Sequence, residues 1–174
     1  MTISRVHSTV TYPANFLFIG AMNPCPCGYL GSKTHYCTCT PKQVKAYQTR
    51  VSGPIKDRMD LLLVLHPVDL NSNGEEETSA VIRERVIVAR QRQSERYGNE
   101  MTNANVSMEQ LNKVSPLTAS QQRLLQEAIS SYHWSNRVQV KMIRLARTIS
   151  DLRGEEKITD GALLEAMSFR KGGI

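Results

Sequence analysis

The chain has 174 residues, 40% of them hydrophobic, and its 22 Lys and Arg against 16 Asp and Glu give a formal net charge of +6. That length suffices for one ordinary domain or for a core with a smaller helical unit attached. No apolar run approaches the roughly 20 residues a membrane span needs and no hydrophobic leader opens the chain, which argues against a membrane protein and places it in the cytoplasm.

The positive surplus is carried mostly by arginine, whose planar fork suits phosphates and carboxylates, although a surplus of this size is also common without a polyanionic partner. Residues 2–12 alternate in part, with Ile3, Val6 and Val10 among Ser and Thr, which predicts a short hairpin or edge strand. Residues 16–22 form a continuous apolar, β-prone run, the pattern of a strand buried on both faces of a parallel sheet. Asn23 comes directly after it. Open α/β sheets bind ligands at the carboxyl ends of their strands, so Asn23 is placed to face one; an Asn stabilising the turn before Pro24 is the local alternative.

Four cysteines then come as two tight pairs, Cys25-Pro26-Cys27 and Cys37-Thr38-Cys39, around a segment with Gly28, Gly31 and His35. In a reducing compartment such a cluster is a poor disulfide set, and a bridge within Cys-x-Cys would be strained. Four thiolates converging on tetrahedral zinc satisfy one another and leave no open position for water, so the site reads as structural. The spacing is tighter than the usual Cys-x2-4-Cys, and His35 is able to replace one sulfur. Reduced cysteines in a loop are the alternative, but a segment so poor in large apolar residues has little else to order it.

Thr40 and Pro41 read as cap and first residue of a helix reaching Arg50, broken by Ser52-Gly53-Pro54. Residues 55–60 read as a short polar turn, and residues 61–65 as a second buried strand ending at His66-Pro67. The first 70 residues are therefore expected to be α/β, with the cysteine insert at about 24–40. Residues 71–77 are a polar linker, and 78–174 carry only helical signals.

In that second part Thr78 or Ser79 caps a long helix through Tyr97, closed by Gly98, with Val81, Ile82, Val86 and Ala89 inward. Its arginines (83, 85, 90, 92 and 96) suit nucleic acid, but a solvated face with partners such as Glu84 and Glu95 is favoured. Capping boxes at Ser107 to Gln110 and Thr118 to Gln121 predict two more helices. Ser135 caps another with Val138, Met142, Leu145, Ile149 and Leu152 inward, and Arg137, Lys141, Arg144 and Thr148 form a basic stripe beside them. That helix is expected to stop near Gly154. Ile158-Thr159-Asp160 opens the last helix, with a flexible end at Lys171-Gly172-Gly173.

No Gly-x4-Gly-Lys-[Ser/Thr] phosphate loop occurs, and no apolar run ends in paired acids. The run from Gly20 through Asn23 to Tyr29, the second cysteine pair, Ser52-Gly53-Pro54-Ile55-Lys56-Asp57-Arg58-Met59-Asp60-Leu61, Ser79 to Arg92, Ser135-Asn136-Arg137 and Ile143 to Leu152 together resemble the Mg-chelatase-like AAA+ ATPases of the ComM (YifB) type. The resemblance covers nearly the whole chain. It implies the C-terminal portion of a longer protein, with a Lon-protease-like domain and the Walker A and B segments upstream and Met1 an internal start.

By position, Asn23 resembles sensor 1, which helps orient the attacking water. Arg58 resembles the arginine finger that stabilises phosphoryl charge in a neighbouring subunit, an effect worth roughly 10³–10⁵ in rate in well-studied NTPases; a salt bridge to Asp57 or Asp60 is the alternative and is compatible with it. Arg137 resembles sensor 2 of the helical lid, and Arg144 on the same stripe either assists it or packs. The resemblance implies a fold of partial AAA+ parallel sheet plus all-α C-terminal lid, a hexameric ring, ATP and Mg2+ as cofactors of the whole protein, and DNA as substrate through competence and branch migration by a helicase. Alone, the chain is expected to be inactive. The competing readings are a non-catalytic zinc-binding module for nucleic acid or protein, and a magnesium chelatase subunit; the cysteine segment disfavours the second.

Overall fold

The computed structural model describes residues 1–14, 16–65, 77–98 and 101–171. It divides into two compact units, Met1–Arg50 and Val51–Ile174. The strand end expected at His66-Pro67, the linker at 71–77 except Glu77, and the Gly172-Gly173 tail lie outside the described residues.

The first unit opens with an antiparallel hairpin of β1 (Thr2–Arg5) and β2 (Ser8–Thr11), in which Thr2 pairs with Thr11 and Ile3 with Val10. The hydroxyls of Thr2 and Thr11, and of Ser4 and Thr9, meet across the strands at 3.0 and 2.8 Å. The helix α1 (Pro41–Gln48) starts as its sequence dictates: the Thr40 hydroxyl accepts the Gln43 amide, the Gln43 side chain accepts the Thr40 amide, and Pro41 sits where no amide partner is needed.

Residues 16–22 are not a strand, and neither are residues 61–65. This corrects the expected parallel sheet: among the described residues the only sheet is the hairpin. The reason is physical. A strand buried on both faces exists only with strands hydrogen-bonded to its edges, and among the described residues neither run has one, so Phe16, Leu17, Ile19 and Leu65 lie between 77% and 87% exposed.

The second unit is helical. Ser52-Gly53-Pro54, read from sequence as a breaker, instead begins the short helix α2 (Gly53–Arg58), because proline in the first turn is also a helix starter. The others are α3 (Ser79–Tyr97), α4 (Met108–Val114), α5 (Ala119–Tyr132), α6 (Asn136–Leu152) and α7 (Asp160–Lys171). Side chains of Thr78, Ser107, Thr118 and Ser135 cap α3 to α6 as their sequence predicts. Gly98 receives the end of α3 at φ 93°, a left-handed conformation that a Cβ would strain.

The core is shared by α4 to α7, with α6 at its centre. Val138, Met142, Ala146 and Ile149 of α6 pack with Leu111, Leu125, Leu163, Ala166 and Met167. Of the α6 residues expected inward, Leu145 and Leu152 are only half-buried, and Ile143 takes part instead. In α3 the expectation fails more widely: Ala89 and Gln93 are its buried residues, whereas Val81, Ile82 and Val86 are 42–49% exposed. Apolar residues lie all round its first half, so no single face is selected for burial.

What fixes α3 is charge. Arg96 holds Asp151 of α6 through two hydrogen bonds of 2.6 and 3.0 Å, Arg147 reaches the same carboxylate at 3.0 Å, and Asn103 donates to it at 2.8 Å. Asp151 and Arg147 side chains are fully buried. Arg147 also donates to the carbonyls of Glu155 and Glu156, just beyond the end of α6. Burial pulls the Arg147 guanidinium below its usual range against the attraction of Asp151, while its hydrogen bonds to Asp151 push Arg96 above its own. Removing the carboxylate would leave a buried arginine uncompensated, the expensive way to break such a pair. Asp151→Ala is therefore expected to destabilise the helical unit by about 3–5 kcal/mol in urea titrations followed by helical circular dichroism.

Candidate functional site

The four cysteines converge. Sγ of Cys25 lies 3.3 Å from that of Cys27 and 3.7 Å from that of Cys37, Cys27 and Cys37 are 3.6 Å apart, and the four sulfurs all fall within 4.8 Å of one another. A tetrahedron of thiolates at zinc distance has sulfur–sulfur edges of about 3.8 Å, so the set has the dimensions to hold a metal such as zinc.

Backbone turns build it. The Gly28 amide donates to the Cys25 carbonyl at 3.0 Å and Gly28 takes φ 84°, so the chain reverses directly after Cys27; Gly31, at φ 79°, closes a second turn in which the Ser32 amide reaches the Tyr29 carbonyl. The reversals aim amides at sulfur: those of Tyr29 and Thr38 at Cys27, that of Cys39 at Cys37, and that of Cys27 at Cys39. Cys25 is fully buried and the other three are half-buried.

The electrostatics of four adjacent thiols force an unequal split. The Tyr29 amide above all lowers Cys27 to about 6. At Cys37 the Cys39 amide also favours the thiolate, but burial and the sulfurs of Cys27 and Cys25 outweigh it and push the thiol up to about 12; Cys39 is raised in the same way. Without a cation the neighbouring sulfurs help the Cys27 thiolate and oppose those of Cys37 and Cys39, whereas a dication at their centre favours the thiolate form of its ligands.

His35 is not among the ligands. Its ring stacks on Tyr29 with centroids 4.7 Å apart, and its Nδ1 pairs with the Thr34 hydroxyl at 2.9 Å. The surrounding unit is unusual in charge: residues 1–50 contain no Asp or Glu, but have Arg5, Lys33, Lys42, Lys45 and Arg50.

Asn23 sits beside this centre. It is exposed, and its side chain lies along Gly28, where an added Cβ would be 3.8 Å from its Nδ2. The next carbonyl, of Pro24, accepts Gln48 Nε2 of α1 at 3.0 Å, so the cysteine turn and not a strand end fixes its place.

In the helical unit Arg58 closes α2 with an exposed side chain whose guanidinium donates to the Pro54 carbonyl at 2.8 Å. The carboxylates the sequence offered it are held by other cations: Asp57 by Arg170 at 3.0 Å and Asp60 by Lys141 at 3.1 Å. Arg137 stands exposed in the first turn of α6. Arg144 packs, donating to the Val106 carbonyl at 2.6 Å with its Nε buried and unpartnered. The basic stripe is thus largely engaged inside the unit, and the arginine helix likewise commits Arg85 to Glu77 and Arg96 to Asp151 instead of Glu84 and Glu95.

Sequence reasoning missed Ser135, Lys141 and Arg170 as partners of the 57–60 turn. Ser135 donates to Asp57 at 3.2 Å, and the partners stand 78 to 113 residues from the turn, beyond any local pattern.

Residues 1–73 match the family model for magnesium chelatase, subunit ChlI, and residues 76–170 match the model for the C-terminal region of that subunit. The chain belongs to the magnesium chelatase ChlI family. Among relatives, it is 35% identical over 172 residues to Competence protein ComM of Haemophilus influenzae, covering 97% of this chain and 33% of that protein. The YifB proteins of Salmonella typhimurium and Escherichia coli are each 34% identical over the same length and coverage. The chain thus spans about a third of the length of the curated relatives it matches. Among the described residues no helix is long and apolar enough to cross a membrane.

Protein purified without added metal is expected to carry close to one equivalent of metal ion per chain by elemental analysis. Cys25→Ser or Cys37→Ser is expected to lose it, and chelation to expose all four thiols to a thiol reagent.

Proposed function

We propose that the chain forms the sensor, finger and lid portion of an ATP-hydrolysing AAA+ ring motor, with residues 1–70 belonging to its α/β core and 78–174 to its helical lid. The observation that carries this reading is the pair of family matches in sequence order, which meet between residues 73 and 76 inside the polar linker. In it Asn23 orients the attacking water as sensor 1, Arg58 reaches the nucleotide of a neighbouring subunit as the finger, and Arg137 acts as sensor 2, with Arg144 supporting the helix that carries it. ATP and Mg2+ are held by Walker segments outside this sequence.

Zinc is the ion assigned to the cysteines. Four sulfurs of matching dimensions with amides directed at them favour a closed structural site, and such a site orders the turn beside Asn23. Likeness to a protein named for competence supports DNA as the substrate of a hexamer working in the cytoplasm, by helicase action or branch migration. One observation favours a second reading, a zinc-ordered docking module without catalysis: the absence of acidic residues from the unit that carries the cysteines.

The 174-residue chain is expected to show no ATP turnover. In the full-length protein Arg58→Ala is expected to lower the hydrolysis rate by roughly 10³-fold or more with ATP binding retained, since a finger stabilises the transferring phosphoryl and not the bound nucleotide. Loss of nucleotide binding in that variant would remove Arg58 from the role, and a full-length protein with no turnover would favour the docking module.

A further inference from the structure

The turn around Arg58 is gripped from three directions by the helices of the same unit. Arg170, near the end of α7 and only 9% exposed, donates to Asp57 Oδ1 at 3.0 Å and to the Met59 carbonyl at 2.9 Å. The carbonyl of its neighbour Phe169 accepts the Leu62 amide at 3.2 Å. Lys141, in the second turn of α6, donates to the Arg58 carbonyl and pairs with Asp60. Ser135 uses one hydroxyl twice, accepting the Val138 amide as cap of α6 and donating to Asp57 Oδ2. Residues 57, 58, 59, 60 and 62 are each fixed by a side chain or backbone group of α6 or α7 or the cap of α6, while the Arg58 side chain itself remains outside.

We propose that Arg170 and Lys141 are positioning residues for Arg58: they clamp the backbone on both sides of it to α6 and α7, so that finger and lid move as one piece. This rests on the reading of Arg58 as a finger. A six-residue helix ending in an exposed turn has little rigidity of its own. A charged group that must meet a transferring phosphoryl in another subunit needs placement to a fraction of an ångström, and an error of about 1 Å costs on the order of 100-fold in rate. The clamp supplies that placement through the backbone and leaves the guanidinium exposed, with its bond to the Pro54 carbonyl of the same short helix. Because Ser135 also starts α6, two residues before Arg137, any shift of that helix start is carried to the turn.

The test uses the full-length protein and three variants: Arg58→Ala, Arg170→Ala and Asp60→Ala. The last removes a carboxylate whose side chain is 77% exposed. Arg170→Ala is expected to lower kcat by on the order of 100-fold with KM for ATP nearly unchanged, and Asp60→Ala to lower it several-fold in the same manner. A finger acts on the neighbour's nucleotide, so mixing Arg170→Ala protein with subunits whose phosphate loop is disabled is expected to restore turnover, as it should for Arg58→Ala. Wild-type kcat in Arg170→Ala and Asp60→Ala alongside an inactive Arg58→Ala would overturn the clamp and leave the finger standing. Loss in Arg170→Ala that mixing does not restore would also overturn it, because that is the behaviour of a residue needed only for folding. Full turnover in Arg58→Ala would remove the finger reading and the clamp with it.

Discussion

The helical unit hangs on one buried carboxylate. Asp151 lies on the central helix α6, yet its partners come from α3, from its own helix and from the loop after α3, so a single charge sets the relation of three segments. Two arginines about one acid leave an excess of buried positive charge, tolerated because Arg147 directs its remaining donors at the carbonyls of Glu155 and Glu156. This explains how α3 can be anchored with so little of its apolar surface buried: its C-terminal half is held by Arg96, Gln93 and Ala89, and its first half is not needed for the attachment.

The same economy recurs at the 57–60 turn. There the acids come from the short helix α2 and from Asp60 just past its end, and the cations from the bundle, which seats the turn although its apolar residues Met59 and Leu62 are only half-buried. Among the described residues, acids held by donors from separate helices thus occur twice within one unit, once fully buried and once at the surface. The surface copy lies next to the residue whose exposure the family reading requires.

Legibility from sequence followed the range of the interaction. Helix starts were readable because a cap acts across three residues, and Thr40, Thr78, Ser107, Thr118 and Ser135 each cap the helix assigned to them. The cysteine centre was readable because only four such side chains exist and they lie close together in the sequence. The strands at 16–22 and 61–65 were misjudged because an apolar run states a preference for burial and not the presence of a neighbour to supply it. Arg170, Lys141 and Asp151 were invisible as partners because a charged residue's sequence context says nothing about which opposite charge, tens of residues away or more, it will meet. For Asn23 the residue was picked out, but its surroundings are the cysteine turn in place of a strand end.

The lack of acids in residues 1–50 has a consequence for how that unit presents itself to solvent. Near neutral pH its only side-chain anions are its own thiolates, so the redox and metal state of four sulfurs adjusts the size of the positive charge on a whole folded piece. Oxidised to disulfides, it carries its lysines and arginines unopposed; with four thiolates around a dication, part of that charge is cancelled at its centre. Sulfur chemistry, usually a matter of scaffold strength, here doubles as a dial on long-range attraction to anything negatively charged.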